Sequence, residues 1–593
     1  MNNLDLGVVG NSTVAALVDN QASLVWMCYP QLDGDPVFHS LLGTAAHGGG
    51  AFDIALEGLS ASRQSYAHNT AILETVLESE DGGRVRVTDF VPRFRSRGRI
   101  YRPAMVVRRI EPLAGTPRIT LRVRPSGDYG RLPAEVTRGS NHVRYIVGRQ
   151  VLRLTTDASP GLIVNEVPFI LERTLTCLLG PDEIPSEAPG ILGARFHDET
   201  ARYWREWVRY LAIPFEWQDV VIRAAITLRL CALEETGGIV AALTTSIPEF
   251  GASGRTWDYR YCWLRDSFFT VRALNRLGAT LTMEDYIGYV TNVVTRNGER
   301  ELQPLFGLQF EARIPEEVIE GLPGYRGYGP VRHGNAAYMQ HQNDGYGSVI
   351  LAIAQCFFDE RLQRRGDLAL FERLEALGHR AVAVWNTPDA GLWEFRALAH
   401  VHTHSAAMCW AACDRLARIA LRLDLADRAA FWREHADAIR EEIFANAWNN
   451  ELPSFVSCFG GNDVDASLLL LADIGLIRAD DPRFRSTVEA IGQRLKRGSH
   501  LFRYAGEDDF GVPETAFTIC TLWYIEALAK IGREGEARAL FNELLGRRNS
   551  LGLLSEGIHT ETGELWGNFP QTYSMVGLIH AALSLSRKWE EAF

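Results

Sequence analysis

Lysine is almost missing from this chain of 593 residues. Lys496, Lys530 and Lys588 are the only three, and arginine carries the rest of the positive charge. This reads as coding bias rather than as an arginine-based function. Basic excess is missing too: 61 Lys and Arg stand against 73 Asp and Glu, for a formal net charge of −12 at pH 7. A nucleic-acid or anionic-membrane partner calls for a basic patch, so neither is expected. No apolar run approaches the ~20 residues that span a bilayer. The opening residues 1–7 have no basic and no apolar region, so a signal peptide is not expected and the cytoplasm is the expected location. Cysteines are few, scattered and odd in number, at 28, 177, 231, 262, 356, 409, 413, 458 and 520. The one close pair, Cys409 and Cys413, has helical i, i+4 spacing among apolar neighbours. Buried free thiols are therefore expected, with no disulfide, no metal and no cofactor. The glycine run Gly48-Gly49-Gly50 lacks a Lys-Ser/Thr ending and a helix behind it, which excludes a phosphate loop.

What is there is a globular composition, 46% hydrophobic and 23% charged. The chain is too long for one ordinary core. Residues 1–195 read as strands: a hairpin over 13–27, then β-rich runs at 70–77, 85–91, 105–110, 119–123, 142–147 and 152–155, parted by Gly, Pro, Asn and Asp. Many short strands with turn signals between them predict an N-terminal β-sandwich. A lone helix at 198–210 fills a linker at 196–216. From there to residue 593 the pattern is helical, in twelve periodic segments near 217–236, 264–278, 282–298, 343–360, 366–386, 402–422, 425–446, 463–475, 483–497, 514–532, 533–546 and 571–587. The connections alternate. Those after odd-numbered segments run roughly 15 to 45 residues, while those after even-numbered ones stay within the usual ~2–8. In a ring of helical hairpins every second connection lies at the same end, so the long loops crowd one face. The expected fold is mainly α: an (α/α)6 barrel, a six-hairpin toroid, with one functional face.

Three stretches fall on that face. The first is Gly391-Leu392-Trp393-Glu394-Phe395-Arg396, which sets one acid between two aromatics. Walls that exclude water raise a carboxyl pKa and make a proton donor, whereas a close arginine pulls the other way. The same hexapeptide also reads as a Glu–Arg surface pair at a helix end. The second, Leu554-Ser555-Glu556 with Gly567-Asn568-Phe569-Pro570-Gln571, supplies a second acid far downstream. The third, Arg255 to Ser267 (Arg255-Thr256-Trp257-Asp258-Tyr259-Arg260-Tyr261-Cys262-Trp263-Leu264-Arg265-Asp266-Ser267), offers polar groups for sugar hydroxyls and flat rings for sugar C–H surfaces. Read singly, Asp266 is a helix N-terminal charge and Trp257 and Trp263 are core. Three such runs at one end favour a saccharide cleft. His400, His402 and His404 alternate as in a strand and are read as loop or cleft hydrogen-bonders. Glu507-Asp508-Asp509 is read as a solvated charge cluster, and Glu514 as a dipole partner at a helix start.

These motifs, with Gly334-Asn335-Ala336-Ala337 and Thr244-Thr245-Ser246-Ile247-Pro248-Glu249, closely resemble those of glycoside hydrolase family 15, which holds glucoamylases, glucodextranases and some bacterial and archaeal trehalases. The resemblance implies that Glu394 is the general acid and Glu556 the general base. It places Arg265 and Asp266 on the non-reducing-end glucose and makes Trp257 and Trp393 an aromatic wall, with Arg396 counted among the substrate-binding residues. Ala397, Ala406 and Met575 stand where glycine, lysine and histidine are common. The implied activity is inverting, exo-acting release of glucose from α-glucans or maltooligosaccharides, with a carboxyl separation of ~6.5–9.5 Å. Trehalose hydrolysis is the alternative, and a non-catalytic sugar-binding protein on a degenerate hydrolase scaffold is the alternative from another class.

Overall fold

The computed structural model describes residues 4–43, 50–298 and 300–591; His47, Gly48 and Gly49 lie outside them, and with them most of the glycine run. The expected hairpin is present as Ala15–Asp19 paired antiparallel with Leu24–Tyr29. Seven strands form one antiparallel sheet and eight form a second. Their facing surfaces share one apolar cluster, with Leu24, Phe52 and Leu121 from the first sheet and Leu77, Val87 and Leu154 from the second. This is the β-sandwich. Leu59–Tyr66 was not among the expected strands: its sequence LSASRQSY is mostly polar, it ends the second sheet, and an edge strand in water needs no apolar alternation.

One ion pair lies in the middle of the sandwich. Arg108 and Asp89 are both fully buried, bonded at 2.7 and 3.1 Å, and Arg108 also donates to the carbonyls of Phe52 (2.6 Å) and Ala22. Removing one partner strands the other charge in an apolar core. Arg108→Ala is therefore expected to destabilise the protein by about 3–5 kcal/mol, read as a lowered midpoint in thermal or denaturant unfolding. An unchanged midpoint would reject the assignment.

A helix then runs from Pro189 to Arg209, starting earlier than the expected 198, with proline in its first turn. Beyond it lie two concentric rings. Ser267–Arg276, Asp344–Ile353, Thr403–Arg422, Ala466–Leu471, Thr518–Lys530 and Thr572–Leu585 each touch the next, and the last touches the first. Around them stand Gln218–Leu230, Thr280–Asn297, Leu368–Val384, Ala426–Ala447, Pro482–Leu495 and Glu534–Leu545. Burial follows position. Asp344–Ile353 is buried on every side, whereas Ala426–Ala447 buries a single stripe (Ala429, Trp432, Ala436, Ile439, Ile443) at helical spacing. The segment expected as a helix at 463–475 is only a short 3-10 helix, Ala466–Leu471. Four consecutive leucines present no single face, and all six residues are buried.

Each outer helix leads through a long loop into an inner one, so these loops gather at one end. The sandwich is bolted to that end. Arg260, almost fully buried, pairs with Asp258 and donates to Gly34 O (3.0 Å) and Tyr129 Oη (2.5 Å), while Trp26 Nε1 donates to Leu243 O (2.7 Å). Two of the charges read as sugar-binding candidates, Asp258 and Arg260, are thus structural. All nine cysteines are free and all but Cys458 are buried. Among the described residues no helix is long and apolar enough to cross a membrane. Glu514 precedes the helix start at Thr518 by four residues, outside its first turn, so it is not a dipole partner there.

Candidate active site

The loop carrying Glu394 is pinched shut at its base, where Asp389 and His400 form an antiparallel bridge. Inside it the chain turns sharply. Gly391 sits at φ +65°, where a Cβ would lie 2.7 Å from the His402 ring, and Glu394 itself is held at φ +60°. A non-glycine residue in this region is uncommon and marks a site the surroundings over-determine. The turn aims the carboxylate at residues remote in sequence. Oε1 of Glu394 accepts from Trp263 Nε1 at 2.6 Å, Arg265 at 3.0 Å and Gln342 at 3.3 Å.

The sequence neighbours of Glu394 line the same pocket but take other partners. Trp393 Nε1 donates to Asp465 (2.9 Å), and Phe395 stacks on His402. Arg396 pairs with Glu316 at 2.8 Å and lies over the Trp257 ring. The Glu–Arg surface pair is therefore not formed, and the arginine beside the acid is Arg265.

Glu556 comes from the last long loop, one residue before a strand of a three-stranded ribbon (Ala516–Phe517, Gly557–Ile558, Leu565–Trp566). Its carbonyl accepts from Thr518 N at 2.8 Å, and Gly567 must be glycine, since a Cβ there would lie 2.6 Å from that of Glu556. Asn568 ties this ribbon to the 244–249 and 255–267 motifs, through Thr244 Oγ1 (2.9 Å) and Trp257 O (2.8 Å). Tyr259 Oη donates to Glu556 Oε1 at 2.6 Å. The Tyr259 and Trp263 rings meet edge to face with centroids 5.4 Å apart, so each glutamate hangs from one ring of the same pair.

Burial pushes the Glu556 carboxyl up to about 8; the Glu249 charge adds to this, and the Tyr259 bond and Arg503 oppose it. Arg503 bonds Glu249 at 2.9 Å, and Trp257 Nε1 donates to the same acid at 3.2 Å. Deeper in, Arg265 serves three acids. It bonds Glu394 and Asp266, and Asp344 lies near with neither oxygen bonded within the described residues. Burial raises Asp266 to about 6 and Asp344 to about 7, with Arg265 opposing in each case.

One pocket is lined by all seven residues expected at the site: Glu394, Glu556, Arg265, Asp266, Trp257, Trp393 and Arg396. Of the three histidines, His402 contacts Cys458 Sγ at 3.5 Å and stands just before the helix Thr403–Arg422 without a side-chain capping bond, while His404 is buried and neither of its ring nitrogens is bonded within the described residues. Glu507 and Asp509 are exposed, as expected of a solvated cluster, whereas Asp508 is nearly buried against Arg255; Asp508 and Asp509 each hold a neighbouring loop.

The profile of glycosyl hydrolases family 15 matches residues 217–583, the helical rings and their loops. This chain belongs to that family. A second profile, trehalase-like, N-terminal, matches residues 4–164. A trehalase of Mycolicibacterium smegmatis is 30% identical, over 99% of this chain and 92% of its own length. A trehalase of Thermoplasma acidophilum is also 30% identical, over 97% and 98%. Among solved structures, a bacterial glucoamylase complexed with acarbose superposes with a TM-score of 0.71 at 13% identity, covering 98% of this chain and 94% of that one, which establishes the sandwich-plus-barrel fold. As a family 15 member the chain is a glycoside hydrolase.

Several residues of this family 15 pocket escaped the sequence reading. Tyr259 and Trp263 stood out only as flat surfaces; their polar atoms hold the two glutamates. Glu249 was read only as the end of the 244–249 motif, with no role given to it, and Arg503 carried no signal beyond its position on the loop-rich end.

Proposed function

We propose that this chain hydrolyses α,α-trehalose with inversion, Glu394 protonating the departing oxygen and Glu556 activating the attacking water. The observation that carries the substrate is end-to-end likeness, at 30% identity, to proteins named trehalase, extending through the N-terminal sandwich. The glucoamylase likeness, at 13% identity, speaks for the fold and not for the substrate, so the α-glucan reading ranks behind trehalose. Two carboxylates lining one pocket argue against a non-catalytic binding protein. Inversion requires a carboxyl separation of about 6.5–9.5 Å, which lets a water enter between acid and base.

Inversion makes a specific product. The attacked glucose emerges as the β anomer while the departing one stays α, so trehalose yields equal α- and β-glucose at first; retention yields α alone. Proton NMR of the first turnovers reads the ratio. Only α-glucose would reject inversion, and no glucose from trehalose would reject the substrate.

The base must be ionised to take a proton. With Glu556 raised to about 8, the acidic limb of kcat/KM is expected to lie above the ordinary glutamate range. The Glu249 charge disfavours ionisation of Glu556, so Glu249→Gln is expected to shift that limb to lower pH. A profile identical to wild type would sink this account.

A further inference from the structure

The pocket has a buried end and an exposed end, and the exposed end is crossed by a strap. Asp266, Glu556 and Tyr573 are buried, whereas Asp509 and Phe510, lining the same pocket, are exposed. The strap is fastened to both sides. Arg255, from the loop before the first inner helix, holds Asp508 through two bonds of 2.6 Å and takes the Gly511 carbonyl at 2.8 Å. On the other side Asp509 Oδ2 accepts the backbone N–H groups of Arg396 (2.6 Å) and Ala397 (3.2 Å), just past Glu394. Between these anchors the Phe510 ring meets Trp257 edge to face at 5.3 Å. Asp508 and Arg255 are nearly buried, at 7% and 5% side-chain exposure, which marks a desolvated bidentate pair and not a loose surface contact.

A cleft that trims long chains must stay open beyond the leaving-group sugar. Here that exit is tied across. We propose that the segment Asp508-Asp509-Phe510 limits the leaving group to a single sugar ring and so makes the enzyme selective for disaccharides. The inference rests on the hydrolase reading above and narrows its substrate. With the reacting glucose at the buried end and the bond between Glu394 and Glu556, the second ring fills the remaining length. A third ring meets Phe510 and the Asp509 anchor.

The test compares trehalose with trehalose lengthened by one α-1,4-linked glucose, with maltose read as the product of the longer sugar, so that the cut bond is the same 1,1 linkage and only the leaving group grows. Wild type is expected to favour trehalose at least tenfold in kcat/KM. Asp509→Ala and Phe510→Ala, both altered at exposed side chains, are expected to narrow that preference at least tenfold, by gain on the longer sugar. Equal use of both sugars by wild type overturns the proposal, as does an unchanged preference in both variants or a parallel fall in both rates. Failure of wild type to cut trehalose overturns the substrate reading instead. The strap is then judged on maltotriose against maltose in the same three proteins, with the same outcomes expected.

Discussion

Glu394→Gln is expected to lower trehalose hydrolysis by about 10²–10⁴-fold, the usual worth of a positioned proton donor, and to leave hydrolysis of α-glucosyl fluoride nearly intact. The contrast follows from the leaving groups. A sugar oxygen departs as an alkoxide unless it is protonated, whereas fluoride needs no proton. The amide is close in shape to the acid, and its oxygen still accepts from Trp263 and Arg265, which bond Glu394 Oε1 at 2.6 and 3.0 Å in the native chain. Arg265 also keeps Asp266 as a partner, so the substitution strands no charge. Circular dichroism and the melting temperature are expected to match wild type. Trehalose turnover at the native rate would remove Glu394 from the acid's place, and an equal loss on both substrates would assign it another role.

Glu556→Gln is expected to lose a similar factor, about 10²–10⁴, on trehalose and on the fluoride alike. Water must be deprotonated whichever group leaves, so a better leaving group does not rescue the variant. The carboxylate hangs from Tyr259 and lies within 3.4 Å of Gln571 Nε2, and the amide can keep both contacts with its oxygen. An interaction made only in the transition state lowers kcat and leaves KM nearly unchanged. Rescue of the Glu556→Gln enzyme by the fluoride would exchange the two assignments. That exchange is a fair target, because the surroundings differ: Glu394 faces the Arg265 cation, while Glu556 is buried with Glu249 for company.

The pattern of hydrophobic spacing and loop length was enough to read a sandwich followed by six helical hairpins, with the long loops at one end. Periodicity reports which side of an element faces apolar neighbours, and alternation of loop lengths reports which ends coincide. The two acids were legible for a local reason, since each sits in a short motif whose neighbours are needed nearby. Gly391 allows the turn at Glu394, and Gly567 leaves room beside Glu556. Where spacing was uninformative the reading failed, as at Ala466–Leu471, whose leucines show no face, and at Leu59–Tyr66, which shows no alternation.

Partner choice belongs to the tertiary structure. Residues adjacent along the chain suggested that Trp393, Phe395 and Arg396 surround the acid; the turn at Glu394 instead sends its carboxylate to Trp263 and Arg265, about 130 positions upstream. The same holds for Asp508 and Asp509, which look like solvent-facing charges in sequence and become the ties of a strap once Arg255 and the 396–397 backbone are folded against them. A side chain's charge is written in its residue type, but its protonation, its partner and the width of the cleft it lines depend on burial and on groups within a few ångströms. Those distances exist only when loops from separate hairpins have been brought to one end of the barrel.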